Sequence, residues 1–312
     1  MMKKKTALLA AGAAGAYIGL SFLAEHEIFE KNAKIPTMFS ELSKKKHGTG
    51  NNDPRVDWMH AQQFKQYTIT NNRGEKLSGF YLPADEPSDK FVLCSHGYRS
   101  RGKGEFRFIS KFYHDSGFNI FLVDHTASGD SEGERITFGY YESQDLRLWI
   151  DFLLKEFGEN IKISLQGISM GSASILLLCG QNELPSNVKF AVSDCSFTTI
   201  REQFTSVLNE YHIPLNPIIS TVDKISKSKC GFSIDEISPI KAVPDIKIPM
   251  LFVHGKSDGF VPVKMVYELY NACTSEKDLL ISIKARHGKS YSKDSEAYEK
   301  KVLEFTEKYM CD

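Results

Sequence analysis

The chain has 312 residues, of which 41% are hydrophobic and 25% charged, with 39 basic and 39 acidic side chains and a formal net charge of zero. That length can bury a substantial core. The composition excludes a disordered or fibrous chain, and the charge balance argues against a nucleic-acid partner, which needs a basic field. Six cysteines stand far apart, with no Cys-x-x-Cys pair and no Cys/His cluster at zinc spacing. Neither a structural metal nor a required disulfide is expected.

At the start of the chain, Met-Met-Lys-Lys-Lys precedes an uncharged stretch from Thr6 to Ala24. Its length is close to the ~20 residues that cross a bilayer core. Three lysines before it predict a signal-anchor, with the N-terminus inside and the rest of the chain extracytoplasmic. A signal cleaved near Ala14-Gly15-Ala16 and a helix lying on the folded domain are the alternatives. Six apparently free thiols suit a reducing compartment better than export, so secreted and cytoplasmic placements stay open. The domain reading is a membrane segment over 1–24, a linker over 25–61 and a folded domain over 62–312. The Lys44-Lys45-Lys46 run belongs to the linker as a solvated patch.

From Gln66 onward the pattern becomes regular. Gln66–Thr70 and Lys76–Leu82 read as a hairpin turning at Asn71–Gly74. Phe91–His96 is an apolar run without alternation, as in a strand covered on both faces. A helix over Glu105–Ser116 and a strand over Asn119–Asp124 follow. Leu146, Trp149, Ile150, Leu153 and Phe157 keep helical spacing from about Tyr140 until Gly158. Strands are expected at Lys162–Gln166, Phe190–Asp194, Met250–His254 and Leu279–Ile283, and a last helix at about Ser295–Tyr309. The fold class is therefore α/β, a mostly parallel sheet with helices on both faces. From about 197 to 243 the rhythm breaks. Ile200, Phe204, Val207, Leu208 and Tyr211 form an amphipathic stripe interrupted by Pro214 and Pro217, which reads as a small helical lid, with an ordinary crossover helix as the alternative.

Gly167-Ile168-Ser169-Met170-Gly171 lies between the run Lys162–Gln166 and the small-residue run Ser172–Leu178. Strand, Gly-x-Ser-x-Gly, helix is the context of a nucleophile elbow. A side chain at Gly167 or Gly171 would collide with the strand or the helix. The turn lifts the Ser169 hydroxyl from the sheet, and the Met170 N–H at the helix start can face a developing oxyanion.

With three further landmarks in order, the chain resembles the α/β-hydrolase superfamily over roughly Gln66 to the C-terminus. Ser95-His96-Gly97-Tyr98-Arg99 resembles the His-Gly loop that supplies the second oxyanion donor, which by position is the Tyr98 N–H. His254-Gly255-Lys256-Ser257-Asp258-Gly259-Phe260-Val261-Pro262 resembles the segment that carries the family's acid, which implies Asp258. Ala285-Arg286-His287-Gly288, after the last strand, implies His287 as general base. The order Ser, Asp, His is the superfamily's own. The loop His125–Gly133 departs from the related Arg-Gly-His-Gly-x-Ser-x-Gly form, so altered packing beneath the elbow is expected.

The resemblance is greatest to bacterial membrane-anchored esterases and serine aminopeptidase-like hydrolases. It implies a serine hydrolase acting on carboxylic esters through an acyl-enzyme, with a small-molecule acyl ester as partner and no cofactor. An amidase or aminopeptidase, with Asp235 or Glu236 holding a substrate ammonium, is one alternative. A thioesterase and a catalytically silent membrane-docked scaffold are the others. Phe260, Val261, Tyr291 and the lid stripe are candidates for the acyl pocket.

Overall fold

A computed structural model describes residues 29–31, 53–181, 184–209 and 215–311. Eight strands form one sheet: β1 Lys65–Thr70, β2 Lys76–Leu82, β3 Lys90–Ser95, β4 Asn119–Val123, β5 Lys162–Ile168, β6 Val188–Asp194, β7 Met250–Gly255 and β8 Lys277–Ser282. Their order is β1-β2-β4-β3-β5-β6-β7-β8. The β1–β2 and β2–β4 pairs are antiparallel, and every other pair is parallel.

Among the described residues, the helices of more than one turn are α1 Pro54–Ala61, α2 Ser110–Asp115, α3 Tyr140–Phe157, α4 Met170–Cys179, α5 Ile200–Asn209, α6 Leu215–Cys230, α7 Lys264–Ala272 and α8 Ser295–Met310. α1 falls inside the stretch read as linker. Asp53 caps it through the Arg55 N–H, and Pro54 occupies the first turn, where its missing N–H costs nothing. The helix expected over Glu105–Ser116 is instead a single turn at Gly102–Glu105 followed by α2.

Side chains of β3 alternate between two cores, as the period of a strand requires. Phe91 and Leu93 join the cluster built with α3, α4 and α7, while Val92 and Cys94 join the one built with α1, α2 and α8. A third apolar cluster lies over the carboxyl ends of the strands. It unites Phe204 and Leu208 of α5 and Val222 of α6 with Met170 and Ala173 of α4 and Met265 of α7. The predicted stripe thus faces inward at Ile200, Phe204, Val207 and Leu208; Tyr211 lies outside the described residues. Gln203 fastens α5 to the loop after β7 through its Nε2–H, which donates to the Phe260 carbonyl at 2.7 Å.

The expectation of a membrane anchor is corrected. Among the described residues no helix is long and apolar enough to cross a membrane. The longest of them is α3, whose 18 residues carry charges at Glu142, Asp145, Arg147, Asp151, Lys155 and Glu156, and a span needs about 20 mostly apolar residues. The stretch Thr6–Ala24 that prompted the expectation lies outside the described residues. The transmembrane helix, the membrane partner and the extracytoplasmic placement are all withdrawn with it.

Candidate active site

In the sheet, β3 has β4 on one side and β5 on the other, so the chain leaves β3 in one direction and returns in the opposite one. Open α/β sheets bind ligands at such a switch point, beyond the carboxyl ends of the strands. Ser95 and Gly167 are register partners there. The two loops that follow them, His96–Tyr98 and Ser169–Met170, leave the sheet side by side.

Steric necessity explains the elbow. A Cβ on Gly171 would stand 2.0 Å from the Ser95 carbonyl oxygen, and one on Gly167 would stand 2.6 Å from the Ser172 Cα. Ser169 itself sits at φ 56° and ψ −116°, a backbone conformation that costs a non-glycine residue about 1–3 kcal/mol. It is held there because its N–H donates to the Asp194 carbonyl at 2.8 Å and the Ala173 N–H donates to its own carbonyl at 3.0 Å. Met170 opens α4, so its N–H belongs to the first-turn donors that have no acceptor within the helix.

The three predicted side chains meet although they come from the ends of three different strands. The His287 Nδ1 lies 2.7 Å from Asp258 Oδ2, and the His287 Nε2 lies 2.9 Å from Ser169 Oγ. An ionised Asp258 can only accept, so Nδ1 carries the proton and Nε2 offers its lone pair to the serine hydroxyl. Asp258 is well provided with donors. The Phe260 and Val261 N–H groups reach Oδ1 at 2.8 and 3.0 Å, and His254 Nε2 stands 3.3 Å from Oδ2. Burial pushes this carboxyl up, but the His287 imidazole and the hydrogen bonds from His254 and His287 outweigh it and hold it well below the usual carboxylate range. Its stabilising contribution is therefore complete above the unfolded value near 4 and disappears only in strong acid. The Phe260 ring stands edge-on to the His287 ring, with centroids 4.9 Å apart.

The other predicted residues divide. Tyr98 follows the β3 end, and its ring stacks on Phe138 at 4.9 Å. His96 is fully buried and structural. Its Nε2 accepts the His125 N–H at 3.0 Å, so Nδ1–H donates to the Gly97 carbonyl at 2.7 Å. Tyr291 belongs to the core beneath the sheet, where its hydroxyl donates to Glu299 at 2.7 Å, and does not join the cluster above the strands. Val261 is in that upper cluster. The two acids considered for a substrate ammonium are already engaged: Asp235 accepts from Arg201 at 2.9 Å, and Glu236 accepts the Ser233 N–H at 2.6 Å.

The departing loop after β4 is held by contacts of its own. Asp124 accepts the Gly102 and Asp130 N–H groups at 2.7 and 2.9 Å, and Ser95 Oγ pairs with His125 Nε2 at 2.8 Å. A guanidinium arrives from elsewhere in sequence. Arg73, in the β1–β2 turn, donates to Thr126 Oγ1 at 2.8 Å and to Asp145 Oδ2 at 2.7 Å.

Three residues near the site were given no role of their own from the sequence. His254 is fully buried beside Asp258. Cys195 has φ 50° and places its sulfur within 4.8 Å of ligand atoms of Asp258 and His287; this is the one group of metal-ligating type among the described residues, and two of its members are already bonded to each other. Asp194, ending β6, accepts the Ser290 hydroxyl at 3.0 Å, and burial pushes its carboxyl up to about 6 in spite of that bond. The folded state thus holds the Asp194 proton more tightly than the unfolded chain does. Stability should fall as pH rises from about 4 to about 6, by roughly 3 kcal/mol for this group. Asp194→Asn is expected to remove that part of the decline in urea-unfolding curves measured across the window. A wild-type slope retained in the variant would assign the decline to other groups.

The switch-point location, the strained elbow and the Ser169–His287–Asp258 geometry define a class: the chain has the α/β-hydrolase fold. The family model "Serine hydrolase (FSH1)" matches residues 163–288, which include all three of these residues, and the coarse activity is hydrolysis. The Bacillus subtilis (strain 168) protein YqkD is 28% identical over 261 residues, covering 83% of this chain and 85% of its own. Human monoglyceride lipase is 23% identical over 245 residues, covering 68% of this chain and 79% of its own. Among solved structures, the Pyrococcus furiosus esterase Pf2001 superposes with a TM-score of 0.66 at 23% identity, covering 84% of this chain and 96% of that one.

Proposed function

We propose that the protein is a serine hydrolase that cleaves carboxylic esters through an acyl-enzyme, with Ser169 as nucleophile, His287 as base and Asp258 as the acid that orients it. The observation that carries this reading is the unbroken hydrogen-bond chain from Asp258 through His287 to the Ser169 hydroxyl. As Ser169 Oγ attacks the ester carbonyl, its proton passes to His287 Nε2. Asp258 holds the ring in the required tautomer and stabilises the resulting imidazolium. The Met170 and Tyr98 N–H groups would receive the oxyanion. Such donors are already oriented before the reaction, and losing one typically costs about 3–4 kcal/mol in the barrier. His287 returns its proton to the departing alcohol, then activates the water that releases the acid and frees Ser169.

The preference for esters is supported by the names of the Pyrococcus esterase and the human lipase, and by the commitment of Asp235 and Glu236 to partners of their own. The apolar cluster joining α5 and α6 to Met170 suits an uncharged acyl chain under a lid spanning about 197–243. The test is a series of 4-nitrophenyl esters of increasing acyl length run beside aminoacyl 4-nitroanilides. The expected result is a higher kcat/KM on esters at every comparable acyl group, with a burst of nitrophenol equal to the enzyme concentration. Higher turnover of the anilides would replace the esterase reading with an aminopeptidase one.

A further inference from the structure

A cavity lies apart from Ser169, between α1, β2 and the single turn at Gly102–Glu105. It has a volume of about 540 Å³, and none of Ser169, Asp258 and His287 lines it. That size is within the roughly 300–1,000 Å³ of small-molecule sites. Its floor is apolar, made by Met59, Phe64 and Phe80, and its rim carries Arg101, Lys103 and Arg107.

These three cations outnumber the two carboxylates, Asp124 and Asp130, that line the same cavity. The Lys103 ammonium lies 3.8 Å from the centroid of the Phe80 ring and 5.7 Å from that of Phe64. The Arg107 guanidinium lies over Phe108 at 4.4 Å and donates to the Gly104 carbonyl. Among the described residues, none of the three has a salt bridge. Aromatic faces hold Lys103 and Arg107 in place while leaving their net charge intact. Of the two acids on the wall, Asp124 spends both oxygens on backbone N–H groups, and Asp130 is exposed. A concave wall with a surplus of one sign concentrates ligands of the other.

We propose that this cavity is a binding site for an amphiphilic organic anion, with a phosphate or carboxylate head at Arg101, Lys103 and Arg107 and an aliphatic body on Met59, Phe64 and Phe80. Both halves are needed. The three cations alone would bind any anion weakly, and the apolar floor alone would bind any small hydrocarbon.

The test is isothermal titration of the full chain at low ionic strength with octyl phosphate, octanoate, octanol and inorganic phosphate. At least one of the two amphiphilic anions should bind about tenfold more tightly than octanol and than inorganic phosphate, and the comparison of the two identifies the preferred head. Binding of that anion should weaken about tenfold or more in Arg101→Gln/Lys103→Gln/Arg107→Gln, since hydrogen bonds to charged groups are the stronger kind. Circular dichroism checks that this variant folds, and Lys103→Gln alone, with a smaller loss, serves if it does not. Neither amphiphile binding, inorganic phosphate binding as well as both, or affinity unchanged in the glutamine variants would overturn the proposal; the last outcome would place the ligand elsewhere, such as beside Ser169.

Discussion

Ser169→Ala is expected to abolish labelling by a fluorophosphonate probe and to lower ester turnover by about 10⁴–10⁶-fold, the range seen when the nucleophile of a working triad is removed. The fold should survive, because the hydroxyl makes one hydrogen bond, to His287 Nε2, and the backbone N–H to Asp194 is untouched. The same position separates activity from stability. With φ at 56°, Ser169→Gly relieves backbone strain that Ser169→Ala retains. The glycine variant should therefore be equally inactive yet more stable than the alanine variant by about 1 kcal/mol. The measurement is parallel labelling, turnover and urea unfolding of the three proteins. Labelling that persists in Ser169→Ala would move the reactive nucleophile elsewhere. A folded parent protein that resists the probe would favour the catalytically silent scaffold.

Gly171→Ala is expected to be among the most damaging single substitutions in the chain. On an exposed helix this exchange gains about 1 kcal/mol of propensity. Here the new Cβ would stand 2.0 Å from the Ser95 carbonyl oxygen and 2.4 Å from its carbon. Neither atom belongs to a side chain that can rotate away, and β3 is pinned on both edges by β4 and β5. The sign therefore reverses, to a loss of roughly 3–5 kcal/mol, at the upper end for one residue. Chemical unfolding or the soluble yield reports it. A stability within about 0.5 kcal/mol of the parent, the ordinary range for surface changes, would mean that the elbow tolerates a wider separation of α4 from β3.

Much of the fold could be read along the chain because its signals are local. The run of α3 was set by helical spacing and a terminal Gly158, and the structure places it at Tyr140–Phe157 as expected. Gly167-Ile168-Ser169-Met170-Gly171 could be read as an elbow because its meaning is contained in one strand–turn–helix unit. The helix over Glu105–Ser116 was less legible. Gly102 fits against the Val123 carbonyl, 2.8 Å from where its Cβ would be, and its N–H is taken by Asp124. That long-range capture sets the start of the single turn at Gly102, three residues ahead of the expected Glu105. α1 escaped for a related reason: its apolar face is only Val56 and Met59, too short to show a period, and it is stable because it packs on the core beside Phe80 and α2.

Residue order already pointed to a doubly covered, mostly parallel sheet and, through the resemblance, to Ser169, Asp258 and His287 as candidates, since strand periodicity and the motif at each strand end are properties of contiguous residues. Their meeting could not be specified that way. Ser169 and His287 are 118 positions apart, and Asp258 and His287 are 29 apart; only the order of strands in the sheet brings their loops to one edge. The same holds for Arg73 reaching Asp145, for Cys195 beside Asp258 and His287, and for the basic cavity between α1 and the Gly102 turn. Each joins segments that local pattern treats as unrelated, and side-chain packing and burial bring them together once the sheet has formed.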